Sequence, residues 1–284
     1  MGFGAMIGKL RTYLEFVKIE HTLFALPFAY TGALVAGGFD LRLAILIFTA
    51  FTGLRTFAMA LNRIIDREID ALNPRTAKRH LPSGKMSLRE AYLVALVGFA
   101  VYEISAFLIN MTALIFSPIP AIVACVYPYL KRFTCLSHYF LGLNLAFAPL
   151  GGWIAVRDSI DFSFEIFAFS IAVIFWVAGF DIIYALQDIE FDRKFGLHSV
   201  GAHFGERFAK MLSRANHVVF IALLIPALRE IFPLLLIAFL LFLEHYIVKD
   251  DYNEQRIQMS FFYINAIISA TVLTSFIAVF IQKL

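Results

Sequence analysis

Residues 163–186 have the sequence SFEIFAFSIAVIFWVAGFDIIYAL, a run that is nearly free of charge. A helix of about 20 apolar residues is long enough to cross the hydrocarbon layer of a membrane. Continuous apolar runs of this length favour membrane helices over a β-barrel, whose strands are shorter and alternate in hydrophobicity. The run therefore predicts an all-α, polytopic membrane protein.

The composition of the whole chain supports the same fold class. Hydrophobic residues make up 61% of the 284 positions and charged residues only 16%, with a net charge of +3. A soluble domain is usually about half apolar and a quarter charged, so this chain requires lipid around it. We expect membrane lipid as its surroundings, no nucleic acid and no obligate protein partner.

The apolar runs predict nine membrane spans. They lie at 22–39, 41–61, 90–110, 112–130, 136–156, 163–186, 211–228, 231–248 and 260–282. Only Arg229 and Glu230 separate two of these runs, so an eight-span arrangement is the alternative. Because no low-complexity or linker segment interrupts the chain, we expect residues 1–284 to form a single domain.

The distribution of basic residues predicts the orientation in the membrane. Of the 24 Lys and Arg residues, 19 fall on the side that carries the N-terminus in the nine-span arrangement. The other side carries four (Arg42, Arg157, Arg229 and Lys283), and Arg55 lies inside a span. Cytoplasmic loops are enriched in Lys and Arg, so this bias predicts a cytoplasmic N-terminus.

The two long connections, 62–89 and 187–210, fall on the same predicted cytoplasmic side. Long connections in a compact protein are usually functional. The first begins with Asn62, Asp66 and Asp70, whose spacing of four residues places their side chains along one helix face. Such an array offers the oxygen ligands that Mg²⁺ prefers when it bridges carboxylates to substrate phosphates. A solvated helix end is the alternative interpretation of this motif alone.

A second acidic motif ends the sixth predicted span. Tyr184, Asp188 and Asp192 again recur every four residues, and Asp181 precedes them by about one helix turn. Both motifs follow even-numbered spans and so reach the same membrane surface. Two carboxylate faces at one surface predict a site for a diphosphate held by Mg²⁺. We expect two Mg²⁺ ions in this site.

Basic residues near these motifs are candidates for neutralising a diphosphate. Arg55 lies two helical turns before Asn62 within a span, where a cation is costly and usually functional. Lys131 ends the fourth span, one turn after Tyr127. Arg75 and Arg79 follow the first motif, but the cytoplasmic enrichment in basic residues explains them equally well.

Together these motifs resemble the UbiA superfamily of intramembrane prenyltransferases over nearly the whole chain. The family pattern N-x-x-x-D-x-x-x-D matches Asn62, Asp66 and Asp70, and its D-x-x-x-D matches Asp188 and Asp192. The stretches NPRT (73–76), LPSG (81–84) and YPYLKR (127–132) also look like family sequence. Residues 20–30, EHTLFALPFAY, look most like the 4-hydroxybenzoate polyprenyltransferase-like branch, which includes enzymes of ubiquinone and menaquinone formation.

The resemblance implies nine helices around a central cavity, capped by cytoplasmic helix-loop segments. It also implies Mg²⁺-dependent transfer of a prenyl group from an isoprenyl diphosphate to a lipophilic aromatic acceptor. We expect Asn62, Asp66, Asp70, Asp188 and Asp192 to bind the metal.

The expected substrate contacts extend around these metal ligands. The residues expected to bind the diphosphate and prenyl group are Arg55, Asn62, Arg75, Arg79, Tyr127, Lys131 and Tyr184. The residues expected to be catalytic are Asp66, Asp70, Asp181, Asp188, Asp192 and Lys131. Among them, Asp181 is the candidate for orienting the acceptor or accepting its proton.

Two other functions are compatible with the sequence. A different acceptor, such as a glycerol phosphate ether lipid, haem or a chlorophyll-type ring, would use the same acidic motifs. An ion-coupled transporter would also carry ionisable residues near its spans. Transporters, however, usually place their sites near the bilayer midplane, whereas these acidic motifs lie at one surface.

Overall fold

The computed structural model describes residues 3–228, 230–249 and 252–282. Within these ranges the chain forms helices and connecting turns, without a β-strand. This confirms the predicted all-α class. Arg229 and Lys283, two of the basic residues on the predicted outer side, lie outside the described residues.

The described residues form a succession of α-helices joined by short connections. The helices are α1 (Phe3–Phe16), α2 (Glu20–Ala36), α3 (Leu41–Leu72), α4 (Leu88–Ile109), α5 (Met111–Phe116), α6 (Pro118–Leu130), α7 (Ser137–Arg157), α8 (Phe164–Ala185), α9 (Ile189–Phe195), α10 (Val200–Phe204), α11 (Glu206–Leu224), α12 (Ile231–Ile247), α13 (Glu254–Gln258) and α14 (Asn265–Ile281). A 3₁₀ turn at Leu186–Asp188 joins α8 to α9, and a π-helix at Met259–Ile264 joins α13 to α14.

Helices long and apolar enough to cross a membrane confirm an integral membrane protein. Among the described residues, six segments meet this condition: Leu41–Leu72, Leu88–Ile109, Met111–Leu130, Ser137–Arg157, Phe164–Phe195 and Gln255–Ile281. Two shorter apolar helices are Phe24–Ala36 and Ile231–Ile247. Every predicted span contains helix, although 112–130 is divided into α5 and α6 at Ser117, where Pro118 begins the new helix. The count of nine crossings stays a prediction.

Glycines let neighbouring helices approach closely. A Cβ added to Gly32 of α2 would lie 2.0 Å from the Pro149 carbonyl oxygen, and one added to Gly152 of α7 would lie 2.0 Å from the Ala29 carbonyl oxygen. Membrane helices gain little from apolar burial against one another, so small residues that permit close backbone packing become important. The α2–α7 contact therefore depends on Gly32 and Gly152.

The first acidic motif lies in the last turns of α3, which contains 32 residues. The Asp40 side chain caps the start of α3 by accepting from the Leu43 amide at 2.7 Å. The helix ends at Leu72, and the backbone of the next residue, Asn73, is extended, because a residue followed by proline avoids the helical region. The segment after Pro74 then turns back over the end of α3.

Helix α1 covers this same end of the bundle and was not anticipated from the sequence. Phe16 is fully buried in a cluster with Ile64 of α3 and Met86. Its ring also lies 5.6 Å from the guanidinium of Arg63 and packs edge-on against His80. The contacts of Phe16 thus fix the loop that follows the first acidic motif.

The π-helix between α13 and α14 is held by one buried amide. Asn265, with no exposed surface, donates through Nδ2 to the carbonyls of Ser260 (3.2 Å) and Phe261 (3.1 Å). The wider turn places the Phe261 ring 4.7 Å from the ring of Tyr184. This contact connects the last helix to the second acidic motif. Such a location is typical of π-helices, which are rare and often adjoin functional sites.

Candidate active site

The first acidic motif forms one face at the end of α3. Asp66 and Asp70 are 2% and 5% exposed, and Asn62 lies one turn before Asp66. Asn62 Nδ2 donates to Asp66 Oδ2 at 3.3 Å. The spacing of four residues thus produces the stacked arrangement that the sequence predicted.

Asp66 has a lysine as its charge partner. Lys131 Nζ lies 2.5 Å from Asp66 Oδ2. Lys131 follows directly after α6, and its own carbonyl accepts from the His198 amide at 2.7 Å. The Oδ1 atom of Asp66 is buried and has no hydrogen-bond partner in the described part of the chain. Asp66 therefore retains a free acceptor inside the site.

Asp70 pairs with a basic residue from the loop that follows it. Arg79 Nη1 lies 2.8 Å from both carboxylate oxygens of Asp70. The Thr76 hydroxyl donates to the Asp70 carbonyl at 3.0 Å, which fixes the loop against the helix end. The loop after α3 therefore returns to neutralise its own acidic motif.

Arg75 joins the first motif's loop to the second acidic motif. Its guanidinium donates through Nε to Asp188 Oδ1 (3.0 Å), through Nη2 to Asp188 Oδ2 and through Nη1 to the Tyr184 hydroxyl (2.9 Å). Asn73 Nδ2 also donates to Asp188 Oδ1, at 2.9 Å. Burial lowers the pKa of Arg75, but the bonds to Asp188 and Tyr184 outweigh it and raise the pKa above its ordinary value. Arg75 is therefore a fixed positive charge.

The second motif lies on a helix that is interrupted. A 3₁₀ turn at Leu186–Asp188 separates α8, which carries Tyr184, from α9, which carries Asp192. Tyr184 and Asp188 nevertheless bond to the same guanidinium, that of Arg75, and Asp192 is 8% exposed. The periodicity assumed an uninterrupted α-helix, which this segment is not, but the first two residues of the motif share one side.

Asp181 is bonded to a residue that sequence reasoning missed. His138 Nδ1 lies 2.7 Å from Asp181 Oδ2. The side chain of His138 is 5% exposed and that of Asp181 is 21% exposed. The two residues come from the adjacent helices α7 and α8. No spacing pattern signals this pair, because it is created only by helix packing.

Arg55 and Tyr127 lie deeper in the same region. Arg55 is two turns before Asn62, and its buried Nε has no hydrogen-bond partner among the described residues. Tyr127 is within electrostatic range of Asp66, Asp181 and Arg55. Arg55 and Tyr127 therefore precede Asn62 and Lys131 by two turns and one turn of their own helices, and neither forms an ion pair among the described residues.

Asn73 is a second site residue that sequence reasoning did not single out. Besides its bond to Asp188, its Oδ1 accepts from the Arg75 amide at 3.0 Å. An Asn–Pro pair marks a turn, so the sequence did contain a signal for this residue. It did not indicate that the turn would reach the other motif.

The residues at this end of the bundle form a polar site in which three carboxylates from two motifs are neutralised by three cations. The Asp66–Lys131, Asp70–Arg79 and Asp188–Arg75 pairs hold them together. An anionic ligand that brings its own cations could exchange with these pairs, since each of the three carboxylates is already paired with a cation within the site.

The fold and the site define an integral membrane protein with a charged, polar site at one end of its helix bundle. The chain belongs to the UbiA prenyltransferase family, whose profile matches residues 25–267. It is therefore an integral-membrane prenyltransferase, and we set the transporter alternative aside.

Three similar proteins illustrate this membership. The 4-hydroxybenzoate octaprenyltransferase of Vibrio atlanticus (strain LGP32) is 30% identical over 222 residues, covering 76% of this chain and 77% of the relative. The apo structure of a UbiA homolog from Aeropyrum pernix K1 is 38% identical with a TM-score of 0.82, covering 92% of this chain and 98% of that one. A UbiA homolog from Archaeoglobus fulgidus bound to GPP and Mg²⁺ shares the fold at 22% identity, with a TM-score of 0.70 and coverage of 93% and 99%.

Proposed function

We propose that this enzyme transfers a prenyl group from an isoprenyl diphosphate to a lipophilic aromatic acceptor, 4-hydroxybenzoate-like or hydroxynaphthoate-like, in quinone biosynthesis. The observation that carries the proposal is the joining of the two acidic motifs through Arg75 and Asp188. The name of the Vibrio atlanticus relative supports an aromatic acceptor.

The residues present fit divalent metal ions. Asp66 Oδ1 is buried and unpartnered within the described chain, which is costly unless a ligand satisfies it. In the described ranges no three His, Cys, Asp or Glu side chains converge on one point. A metal held by one or two carboxylates and completed by phosphate oxygens, as Mg²⁺ commonly is, needs no such cluster.

Under this proposal, Mg²⁺ would be held by Asp66 and Asp70, with Asn62 beside them, and by Asp188 and Asp192. Two ions match the two motifs. When bound, Mg²⁺ neutralises the charge that develops on the diphosphate leaving group. The UbiA homolog from Archaeoglobus fulgidus, which shares this fold, has been solved bound to GPP and Mg²⁺, and this supports the assignment.

The basic residues of the site would then change partners. Lys131, Arg79 and Arg75 neutralise carboxylates in the structure, and ions on those carboxylates would free the three cations for the diphosphate. Once these cations are bound to the diphosphate, they stabilise the charge that develops on it because they need no reorganisation during the reaction. Arg55, deeper in α3, would contribute further positive charge.

The aromatic residues and Asp181 would act on the two groups that become joined, the allylic cation and the acceptor. Tyr127 and Tyr184 adjoin the carboxylates and are placed to shield an allylic cation from water, which would quench it. Asp181 would orient the acceptor or take its proton. We retain nine helices around a central cavity as the arrangement that accommodates the prenyl chain.

The cytoplasmic side is the proposed location of the N-terminus and of the active site. The loop after α3 contacts the segment after α8 directly, so both lie at the same end of the bundle. This end carries most of the basic residues, and the positive-inside rule places such an end in the cytoplasm. The helix-loop segments there would cap the site.

The experiment that tests the proposal uses purified protein in detergent with Mg²⁺ and geranyl diphosphate. Pyrophosphate release is measured with and without 4-hydroxybenzoate, and the prenylated product is sought by mass spectrometry. Asp66→Ala should abolish release in a protein that remains folded. Asp40→Asn is the matched control, because it changes an acidic residue of the same helix at the opposite end and Asn also caps helices well.

The outcomes separate the parts of the proposal. Release together with product supports the aromatic acceptor. Release without product retains the diphosphate chemistry and directs the search to naphthoates and glycerol phosphates. Wild-type rates in Asp66→Ala would contradict the metal role, and an absence of release with any allylic diphosphate would contradict the proposed substrate.

A further inference from the structure

The pair formed by the buried His138 and the partly exposed Asp181 has no role in the charge pairs described above. His138 lies in the first turn of α7, and Asp181 lies near the end of α8. Their contact of 2.7 Å joins two helices across 43 positions of sequence. The pair thus places a buried imidazole behind a partly exposed carboxylate, beside the proposed prenyl-transfer site.

Helix packing explains why these two residues meet. A Cβ added to Gly142 of α7 would lie 2.5 Å from the Ile174 carbonyl oxygen of α8, so the two backbones are in close contact there. His138 lies one turn from Gly142, and Asp181 lies two turns from Ile174. The close approach brings the side chain of His138 within hydrogen-bond reach of Asp181.

The direction of the hydrogen bond follows from the chemistry of the two groups. An ionised carboxylate only accepts hydrogen bonds, so Nδ1 of His138 carries the proton. The other ring nitrogen, Nε2, is buried without a partner in the described chain. His138 therefore has one directed interaction, and its 5% exposed side chain lies behind the more exposed Asp181.

Asp181 belongs to the polar site on its other side. It interacts electrostatically with Tyr127, which also interacts with Asp66, and His138 interacts with Asp192. One oxygen of Asp181 is thus held by His138, while the carboxylate adjoins the region where the diphosphate would bind. A carboxylate held at one oxygen presents the other in a fixed direction.

We infer that His138 is a positioning residue for the prenyl acceptor, acting through its hydrogen bond to Asp181. This inference rests on the proposed function and deepens it by assigning how the acceptor is oriented. The acceptor class is an aromatic ring with an ionisable hydroxyl, which a fixed carboxylate can engage.

The proposed step balances in the following way. The allylic C–O bond of the isoprenyl diphosphate breaks, and its electron pair leaves with the diphosphate. A ring carbon of the acceptor supplies the pair for the new C–C bond. The proton displaced from that ring carbon passes to the Asp181 carboxylate, whose orientation His138 maintains throughout.

Three variants of His138 test the inference. Asn places an amide donor near the position of Nδ1, Gln places it farther from the backbone, and Phe keeps the ring shape without a donor. We expect His138→Phe and His138→Gln to lower kcat/KM for 4-hydroxybenzoate about tenfold or more, the loss typical of a supporting hydrogen bond. His138→Asn should retain most of the activity.

Binding of geranyl diphosphate with Mg²⁺ is the second measurement. Its Kd, from calorimetry in detergent, should stay within about twofold of wild type in all three variants, because none of them changes a diphosphate contact. His217→Asn is the matched control: His217 is also a buried histidine but pairs with His245 at 3.0 Å instead of a carboxylate. It should leave kcat/KM for the acceptor unchanged.

The results separate this inference from the proposed function. Equal acceptor kinetics in His138→Phe and wild type would overturn the positioning role while leaving prenyl transfer intact. Equal losses in the Asn, Gln and Phe variants, or a parallel loss of diphosphate affinity, would show a structural role and overturn it also. Failure of the wild-type enzyme to prenylate any aromatic acceptor would overturn the proposed function and the inference together.

Discussion

Arg75 donates two hydrogen bonds to Asp188, a residue 113 positions further along the chain. This pair connects the loop after the first acidic motif directly to the second motif, alongside the bond from Asn73 to Asp188. A third bond from Arg75 reaches the Tyr184 hydroxyl at 2.9 Å. The guanidinium therefore sets the distance between two parts of the site that are contributed by separate helices.

Arg75→Lys tests the importance of the bidentate contact between the Arg75 guanidinium and Asp188. Lysine keeps the charge but cannot reproduce the bidentate geometry or the bond to Tyr184. We expect the Kd for geranyl diphosphate with Mg²⁺ to rise about tenfold, which corresponds to about 1.4 kcal/mol. Calorimetry measures it, with Lys78→Arg as a control in the same loop. An unchanged Kd would show that Arg75 has only a structural role.

Lys131→Met tests whether metal ions and Lys131 compete for the same carboxylate. Without Lys131, the 3% exposed side chain of Asp66 loses its charge partner, which costs about 2 kcal/mol after allowance for the partial exposure of the lysine. We expect a lower Tm in EDTA and a smaller difference from wild type in Mg²⁺. An equal drop in both buffers would contradict metal binding at Asp66.

Metal removal should abolish the response to substrate. If ions join the diphosphate to Asp66 and Asp188, geranyl diphosphate alone will not raise Tm. With Mg²⁺ and ligand at about 100 times Kd, the free energy of unfolding should rise by about 2.7 kcal/mol. Thermal unfolding in detergent with and without EDTA measures this. Equal stabilisation under both conditions would rule out metal-mediated binding.

Asn265→Leu should destabilise the protein and disturb the site. The change removes two hydrogen bonds from the buried Asn265 amide to the π-helix, each worth about 1 kcal/mol. Phe261 would then lose its fixed position beside Tyr184. We expect a lower Tm together with weaker prenyl binding. Ser269→Ala is the control, since it removes one buried hydroxyl further along α14 and should lower only Tm.

Two adjacent glycines provide a matched test of helix packing. A Cβ at Gly152 would overlap the Ala29 carbonyl, whereas one at Gly151 has no neighbour within 4 Å. Gly152→Ala should cost about 1–3 kcal/mol through overpacking. Gly151→Ala should be neutral or slightly stabilising, because alanine favours helix. Thermal unfolding measures the Tm of both variants. Similar Tm values would contradict the close contact between α2 and α7 at Gly152.

Much of the fold could be predicted because it depends on local properties of the sequence. Long apolar runs predict membrane helices wherever they occur, and each predicted span contains helix. Helix α1 escaped prediction because it is short and has no continuous apolar face: Leu10 and Leu14 are exposed, and Phe16 is the buried residue among the side chains described for it. The break at Ser117 likewise lay inside a continuous apolar run.

The site was predictable to the extent that it is built from one helix. Asn62, Asp66 and Asp70 stack because α3 continues through them. The 3₁₀ turn before Asp188 was not predictable, since it is tied to the bonds that Asp188 makes with Asn73 and Arg75. His138 was missed for the same reason: its partner is determined by packing between α7 and α8.

The two helical segments that carry the acidic motifs, Leu41–Leu72 and Phe164–Phe195, each contain 32 residues. At about 1.5 Å per residue, the continuous helix α3 is about 48 Å long and exceeds a hydrocarbon core of about 30 Å, and the second segment has the same number of residues. The excess of about three turns is the part that bears the carboxylates. An amphiphilic substrate would thus be divided at the lipid–water boundary. Its tail would stay dissolved in the bilayer, its diphosphate would lie among the buried carboxylates beyond the hydrocarbon core, and the scissile bond would lie between them.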